Sequence, residues 1–239
     1  MRSAPVACVR RQSASGSVLV LLLVVILGLS VILMRVFSPG KRLYQHDLQT
    51  RQQLAVARDA LQGFAVSHGR LPRPARSALD GRERPDDCGS DADCSGMLPW
   101  VSLGITPLDG WGHLLYYSVT PEMTLAQVSR NVIPDKVVLQ QDMDGNVRYL
   151  VGQDSCSQAL LCSPAVVFSS GPAGGISLAG LQQLGNTDMS AVARSNLAAT
   201  QRFFLPGSVT ATGQPDGAQL RWLDAAWLLR RMDDARQLH

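Results

Sequence analysis

An uninterrupted apolar run near the N-terminus constrains this chain more than any other feature. From Val18 to Met34 the sequence reads VLVLLLVVILGLSVILM, with no charged residue and only Gly28 and Ser30 outside the large aliphatic class. As a helix, the segment from Ser17 to Phe37 would be roughly 30 Å long, which is about the thickness of a hydrocarbon core. The run therefore predicts one transmembrane helix.

The residues before this run form a basic leader, so a cleaved secretory signal is the alternative. Arg2, Arg10 and Arg11 lie within residues 1–16 and would supply the positive region of such a signal. The apolar run, however, exceeds the usual length of a signal core, and residues 35–39 lack the small-residue pattern of a cleavage site. We therefore expect the helix at residues 17–37 to stay in the membrane.

Charge divides the N-terminal segment from the rest of the chain. No Asp or Glu occurs before Asp47, and the formal net charge of +3 arises from arginines beside the apolar run. Beyond residue 38 acidic and basic residues nearly balance, which gives no electrostatic signature of nucleic-acid binding. We expect membrane association, no nucleic-acid partner, and a body of about 200 residues that forms one domain.

Cysteine usage indicates the compartment of that body. Cys88 and Cys94 form one closely spaced pair, and Cys156 and Cys162 form another with the same spacing. An even number of cysteines in loop-like surroundings favours disulfides and an oxidising compartment. Zinc is the less favoured alternative, because its ligands are usually closer in sequence and no His lies near either pair. Of the possible connectivities, we favour the local pairing within each pair.

Helical periodicity resumes after the apolar run. Pro39, within the break Ser38–Gly40, is expected to kink the helix rather than end it. An amphipathic extension then covers residues 38–69, and Gly69 is placed to end it. The apolar residues at helical spacing are Leu54, Ala57, Leu61 and Phe64.

Two acidic segments of the body raise the question of metal binding. Residues 70–99 are rich in Pro and Gly and predict a loop. Its segment Asp86–Cys94 could chelate Ca²⁺ through clustered carboxylates, although a solvated loop is the preferred interpretation. The segment Asp142–Asn146 begins like an EF-hand loop, but its Gly comes too early and the bidentate Glu is missing. It predicts a hairpin turn instead, and we expect no metal.

The body alternates strand signals with short turns. The predicted strands are Leu114–Val119, Lys136–Gln141, Val147–Val151 and Val166–Ser169. Residues 180–202 are weakly patterned and suggest a short helix. The stretch Ala218–Met232 begins as a strand and continues as an amphipathic helix, in which Trp222, Ala226 and Leu229 fall at helical spacing. Strands that follow one long helix predict an α+β body over residues 70–239.

A search for catalytic motifs finds none. The segment Ser169–Gly175 has the Pro and clustered glycines of a turn rather than a nucleophile elbow. Neither a phosphate loop nor a dinucleotide fingerprint occurs, so no cofactor is expected. The four histidines, which are scattered along the chain and nominate no general base, are His46, His68, His113 and His239.

Together these features resemble a type IV pilin or a type II secretion pseudopilin. The chain has a basic leader that ends in glycine, a hydrophobic helix interrupted by proline, an amphipathic extension and a β-rich head. Three segments are also similar to parts of that family: Leu54–Pro74, which ends a helix, Met97–Val119, which enters a strand through Asp109-Gly-Trp111-Gly112, and Ala165–Gly174, a late strand and turn.

The resemblance implies a structural, non-enzymatic subunit. Its fold would be a long N-terminal helix packed on an antiparallel β-sheet head, anchored once in a bacterial inner membrane with the body in the periplasm. The implied partners are other pilin-like subunits, a prepilin peptidase and an inner-membrane assembly platform. Processing would fall between Gly16 and Ser17, followed by methylation.

Two positions depart from the family and refine the expectation. The first follows the cleaved glycine, where the family usually has Phe or Met and this chain has Ser17. The family places a glutamate at the fifth mature position, where this chain has Leu21. A buried carboxylate there would pair with a neighbour's N-terminal ammonium. A subunit at the tip, with no subunit above it, needs no such pairing, so we expect a minor or tip-type subunit. The alternatives are an anchored periplasmic binding or adhesion module and, third, an anchored enzyme.

Overall fold

The computed structural model describes residues 15–37, 39–142, 146–172, 174–175, 190–205 and 217–239, with the side chains of residues 15, 32–41 and 141 excepted. The chain divides into two compact units, Met1–Tyr44 and Gln45–His239. Most of the expected leader, residues 1–14, lies outside the described residues. So does residue 38, the first residue of the break Ser38–Gly40 in which the kink was expected.

Two long helices begin the described chain. Helix α1 spans Ser15–Phe37, and helix α2 spans Pro39–His68. A proline suits the first position of a helix because the N–H that it lacks would have no partner there. Within α1 the Ser30 hydroxyl donates to the Ile26 carbonyl oxygen at 2.8 Å, so this polar atom is satisfied by the helix itself.

Helix α2 contributes one apolar face to the core of the larger unit. Leu54, Ala57 and Leu61 are completely buried, as predicted. Phe64 is only half-buried and stacks on His68 with ring centroids 4.0 Å apart, while Ala65 takes the next core position. A helical turn of 3.6 residues makes i+4 as suitable as i+3 for one face, which is why the prediction for Phe64 was wrong.

The end of α2 is the one that the sequence predicted. Gly69 has a φ of +71° and donates its N–H to the Ala65 carbonyl oxygen at 2.9 Å. A residue with a side chain rarely adopts this left-handed conformation, so glycine here closes the helix at little cost.

Within the described residues, seven strands form two sheets. The four-stranded antiparallel sheet, in spatial order, contains β1 (Ser95–Met97), β2 (Tyr116–Val119), β5 (Ala165–Ser169) and β7 (Gln219–Trp222). The three-stranded sheet contains β4 (Val147–Val151), β3 (Val137–Gln141) and β6 (Arg202–Leu205). The α+β class with an antiparallel sheet is therefore confirmed. The second sheet is mixed, because β3 pairs antiparallel with β4 and parallel with β6.

Strand β5 lies at the centre of the body. All five of its residues are buried, because successive side chains point to opposite faces and both faces are covered. Ala165 and Val167 join the main core with the α2 face, whereas Val166 and Phe168 pack with Phe203 of the second sheet. The strand thus joins the two cores.

Three of the short helices lie between strands, and the fourth follows the last strand. They are α3 (Trp100–Leu103), a 3-10 helix (Pro121–Thr124), α4 (Ala191–Ala198) and α5 (Ala225–Asp234). The strand-then-helix prediction near the C-terminus is confirmed, but its apolar face was wrong. Trp222 belongs to β7 and Ala226 is exposed; the residues that α5 buries are Ala225, Leu228 and Met232. Asp224 begins this helix by accepting the Trp227 N–H at 2.7 Å, which shifts the register from the predicted one.

Candidate functional site

The surface of α1 is apolar on every side. Each large aliphatic side chain from Val18 to Val31 is between 53% and 66% exposed. A helix that is hydrophobic all round is normally buried, either in a protein core or in lipid. The surface of this helix is therefore the first candidate for a binding surface, which protein or lipid would cover.

The residues expected to guide processing and assembly lie on this helix. Gly16, Ser17 and Leu21 are all exposed, and Leu21 is the most exposed of the large apolar residues there, at 66%. A side chain added at Gly16 would meet no other atom within 4 Å. Among the described residues, no helix combines the length and apolarity needed to cross a membrane.

A second candidate is the turn of Asp109, Trp111 and Gly112, which organises the body. The Asp109 side chain is buried and accepts three hydrogen bonds: from the Trp111 N–H at 2.8 Å, the His113 N–H at 2.9 Å and the Ser169 hydroxyl at 2.5 Å. Burial raises the pKa of Asp109, although the hydrogen bond from Ser169 and those from the backbone oppose it. One carboxylate thus joins the turn to the end of β5.

The same turn is fastened to α2 through Gly110. Its N–H donates to the Thr50 hydroxyl at 3.0 Å, and its carbonyl oxygen accepts from His46 Nδ1 at 2.5 Å. The Thr50 hydroxyl donates in turn to the His46 carbonyl oxygen at 2.8 Å. A Cβ at Gly110 would lie 2.1 Å from that carbonyl oxygen, so only glycine allows this approach.

The serine and histidine side chains near the turn hydrogen-bond to backbone carbonyl oxygens or to Asp109. The Ser170 hydroxyl donates to the Gly174 carbonyl oxygen at 2.6 Å, and His113 Nδ1 lies 3.0 Å from the Gly171 carbonyl oxygen. The Ser169 hydroxyl faces Asp109 rather than an imidazole. These contacts hold the loop after β5 against the turn.

Both expected disulfides are present with the local pairing. Cys88 and Cys94 are joined with Cα atoms 5.1 Å apart, and Cys156 and Cys162 with Cα atoms 5.6 Å apart. The first disulfide lies inside the main core, so it also acts as a small apolar group. Each bond limits the freedom of the unfolded chain over a short loop.

The acidic segment Asp86–Cys94, which contains the first disulfide loop, uses its carboxylates on separate partners. Asp87 pairs with Arg73, and Asp93 accepts from the Ser90 hydroxyl at 2.7 Å. Asp91 points to Lys136, with Nζ 2.6 Å from Oδ1. In the part of the chain that the structure describes, no three His, Cys, Asp or Glu side chains gather as a metal site.

Sequence reasoning missed the contacts of Lys136, whose side chain is completely buried. It lies 45 residues from Asp91, and no spacing pattern links them. The available signal was a single lysine at the start of a strand that otherwise reads as buried. A lone charge in such a position requires a partner, although the sequence does not say which one.

Comparison with known proteins identifies no relative, since no protein family, no curated protein and no solved structure matches this chain.

Proposed function

We propose that this chain is a structural subunit of a pilin-like assembly, of the type IV pilus or type II secretion pseudopilus kind, and that it occupies a minor or tip position. The observation that carries the proposal is the apolar, exposed surface of α1 from Val18 to Val31. In this view the function is to pack, insert and present a surface rather than to catalyse a reaction.

The free energy gained by burying the apolar side chains of α1 indicates which partners would cover this helix. Burial of one Leu or Val side chain stabilises by about 1.5–3 kcal/mol, so the exposed helix represents a large unused free energy. Lipid would cover it before assembly, and the apolar helices of other pilin-like subunits would cover it afterwards. The inner membrane and its assembly platform are therefore the proposed setting, with the disulfide-bonded body in the periplasm.

Leu21 supports the tip position. A glutamate here would need an ammonium partner in an apolar environment, whereas Leu21 inserts without one. We expect Leu21→Glu to raise the number of copies per assembly, because a subunit could then pair with a neighbour. Leu21→Gln has a similar size without the charge and should leave the number unchanged. Equal copy numbers for the two variants would remove the argument from Leu21.

Mass spectrometry of the membrane-extracted chain tests the proposal directly. A mature N-terminus at Ser17, methylated on its amine, is the expected result. Gly16→Leu should abolish processing, while Gly28→Leu makes the same change in the same helix and should be processed normally. Neither added side chain would clash, because both glycines have no other atom within 4 Å of a built Cβ.

The second candidate is an anchored periplasmic binding or adhesion module that joins no filament. The observation that favours it is the same pair of departures, Leu21 and a serine after Gly16. An intact Met1 would favour this module. The assembly proposal would be excluded if filament output were unchanged in strains that lack the chain and no pilins co-purified with the wild-type chain.

A further inference from the structure

One buried cluster plays no part in the proposed assembly function. Lys136 Nζ is completely shielded from solvent and lies 2.6 Å from Asp91 Oδ1 and 3.2 Å from Asp135 Oδ1. Asp91 and Asp135 keep about a quarter of their side chains exposed, at 23% each. A buried amine therefore directly contacts two carboxyl groups that still reach solvent.

The fold fixes each member of this cluster in place. Asp91 lies inside the loop closed by the Cys88–Cys94 disulfide, and its Oδ2 accepts from Gln201 Nε2 at 2.6 Å. Lys136 immediately precedes β3, and its backbone exchanges two hydrogen bonds with Ser163, at 2.7 and 3.1 Å. The amine and the carboxyl carbon are thus held together by covalent and hydrogen-bonded supports on both sides.

The third member is held separately. Asp135 Oδ1 accepts from the Thr120 hydroxyl at 2.6 Å, and the Asp135 N–H donates to the same oxygen of Thr120 at 3.1 Å. Burial, followed by the hydrogen bond with Asp91, raises the pKa of Asp135. Asp135 is therefore suited to hold a proton beside the other two groups.

We propose that Lys136 and Asp91 condense into an intramolecular amide, with Asp135 transferring the protons. A proton passes from the Lys136 ammonium to the Asp91 carboxylate, the freed Nζ lone pair attacks Cγ of Asp91, and an N–C bond forms. Asp135 accepts a proton from the attacking nitrogen and delivers one to the departing hydroxyl. The C–O bond then breaks and one water leaves. An ammonium and a carboxylate become one amide and one water, so no other reactant is required.

Two physical effects favour this reaction here and not at an ordinary surface ion pair. Fixed reactants behave as if present at effective concentrations of about 10⁵–10⁸ M, which offsets the reluctance of amines and acids to condense in water. Removal of the two charges also relieves the desolvation penalty of a buried ion pair. The partial exposure of Asp91 gives the released water a way out.

The bond would connect parts of the chain that the disulfides leave separate. It would close a loop between residues 45 apart and fasten the first disulfide loop to the start of β3. A cross-link of this kind restrains the unfolded chain and survives reducing agents, which break disulfides. The body would thus keep one covalent restraint in conditions that open both cystines.

Peptide mapping of the full chain, extracted from membranes and then reduced, tests the proposal. We expect trypsin to fail after Lys136, and the peptide that contains it to be joined to the Asp91 peptide with a combined mass lower by one water. Complete cleavage after Lys136, in a chain that was folded and disulfide-bonded before it was reduced, would overturn the proposal and leave an ordinary buried ion pair. A water loss that maps to another residue, with Lys136 cleaved, overturns it equally.

Variants then assign the chemistry. Lys136→Arg keeps the positive charge but should show no linkage. Asp91→Asn should give the same final mass as the wild type, because ammonia leaves in place of water and the same amide forms. Asp135→Asn still accepts from Thr120 but cannot transfer protons, and the reaction should slow about 100-fold or more. Asp154→Asn, at a surface ion pair with Arg202, is the matched control and should remain fully linked.

Discussion

The carboxylate of Asp109 supports the junction between the turn and β5, and its replacement by alanine should be among the most damaging single changes in the body. Asp109→Ala removes the acceptor for the Trp111 and His113 N–H groups and for the Ser169 hydroxyl. Each buried donor left without a partner costs about 1–3 kcal/mol, so the three together cost about 3–9 kcal/mol. That is a large part of the 5–15 kcal/mol that stabilises a typical domain.

Asp109→Asn separates the contribution of shape from that of charge. The amide oxygen still accepts the Trp111 and His113 N–H groups, and only the contact with the Ser169 hydroxyl must rearrange. We expect a cost of about 1–2 kcal/mol for this variant. The measurement is urea unfolding of the full chain in detergent with both disulfides intact, followed by tryptophan fluorescence.

The control is Asp154→Ala, whose carboxylate is 83% exposed and which should change the free energy of unfolding by less than about 0.5 kcal/mol. Midpoints for Asp109→Ala that match those of Asp154→Ala would refute the argument. The argument would also be refuted if Asp109→Asn lowered the free energy of unfolding as much as Asp109→Ala.

The pH dependence gives a second test of Asp109. Because burial raises its folded-state pKa, its stabilising contribution is complete below the unfolded pKa of about 3.9 and declines as the pH rises through the folded-state pKa. The stability advantage of wild type over Asp109→Asn should therefore be larger near pH 3 than near pH 7. An advantage that grows with pH would contradict the buried-carboxylate account.

Three further changes test other parts of the body. The Arg70 guanidinium donates to both carboxylate oxygens of Glu83, at 2.7 and 2.9 Å. Burial alone would raise the pKa of Glu83, but the hydrogen bonds from Arg70 and from the Arg73 N–H hold this pKa below its usual range. The cost of Glu83→Gln, about 1.5–3 kcal/mol near neutral pH, should therefore disappear as the pH falls through the folded-state pKa, and urea midpoints at several pH values will show this loss. Gly110→Ala places a Cβ 2.1 Å from the His46 carbonyl oxygen and should lower the thermal midpoint of the full chain by several degrees. Replacing both Cys88 and Cys94 with alanine should cost about 2–3 kcal/mol in unfolding by denaturant.

Each of these changes has a matched comparison in the same chain. Glu122 is exposed, and Glu122→Gln should show none of the pH-dependent loss. Gly89→Ala adds a methyl group where no other atom lies within 4 Å and should leave the midpoint near that of wild type. The Cys156–Cys162 disulfide closes a loop of the same length as the first disulfide. If its loss lowered the free energy of unfolding much less, chain entropy alone would not explain the contribution of the first disulfide.

Much of the fold follows from local patterns. The hairpin of β3 and β4 follows from alternating apolar residues on either side of an Asp-Gly step, and the end of α2 follows from Gly69. Both depend on neighbours in sequence, where backbone preference and turn geometry act directly. Strands β1 and β6 were missed because β1 lies in a Pro- and Gly-rich segment and β6 begins where the weakly patterned segment ends. Each pairs with a strand that lies further along or back in the sequence.

By itself, the sequence determined the apolar run, the α+β class and the local disulfides, since each depends on composition or on residues a few positions apart. Only the tertiary structure decided that Asp91 contacts Lys136, 45 residues away, and that Thr50 and His46 hydrogen-bond to Gly110. It also decided that β6 runs parallel to β3. The physical reason is that periodicity shows which face of an element is apolar or charged. It carries no information about which distant element will cover that face.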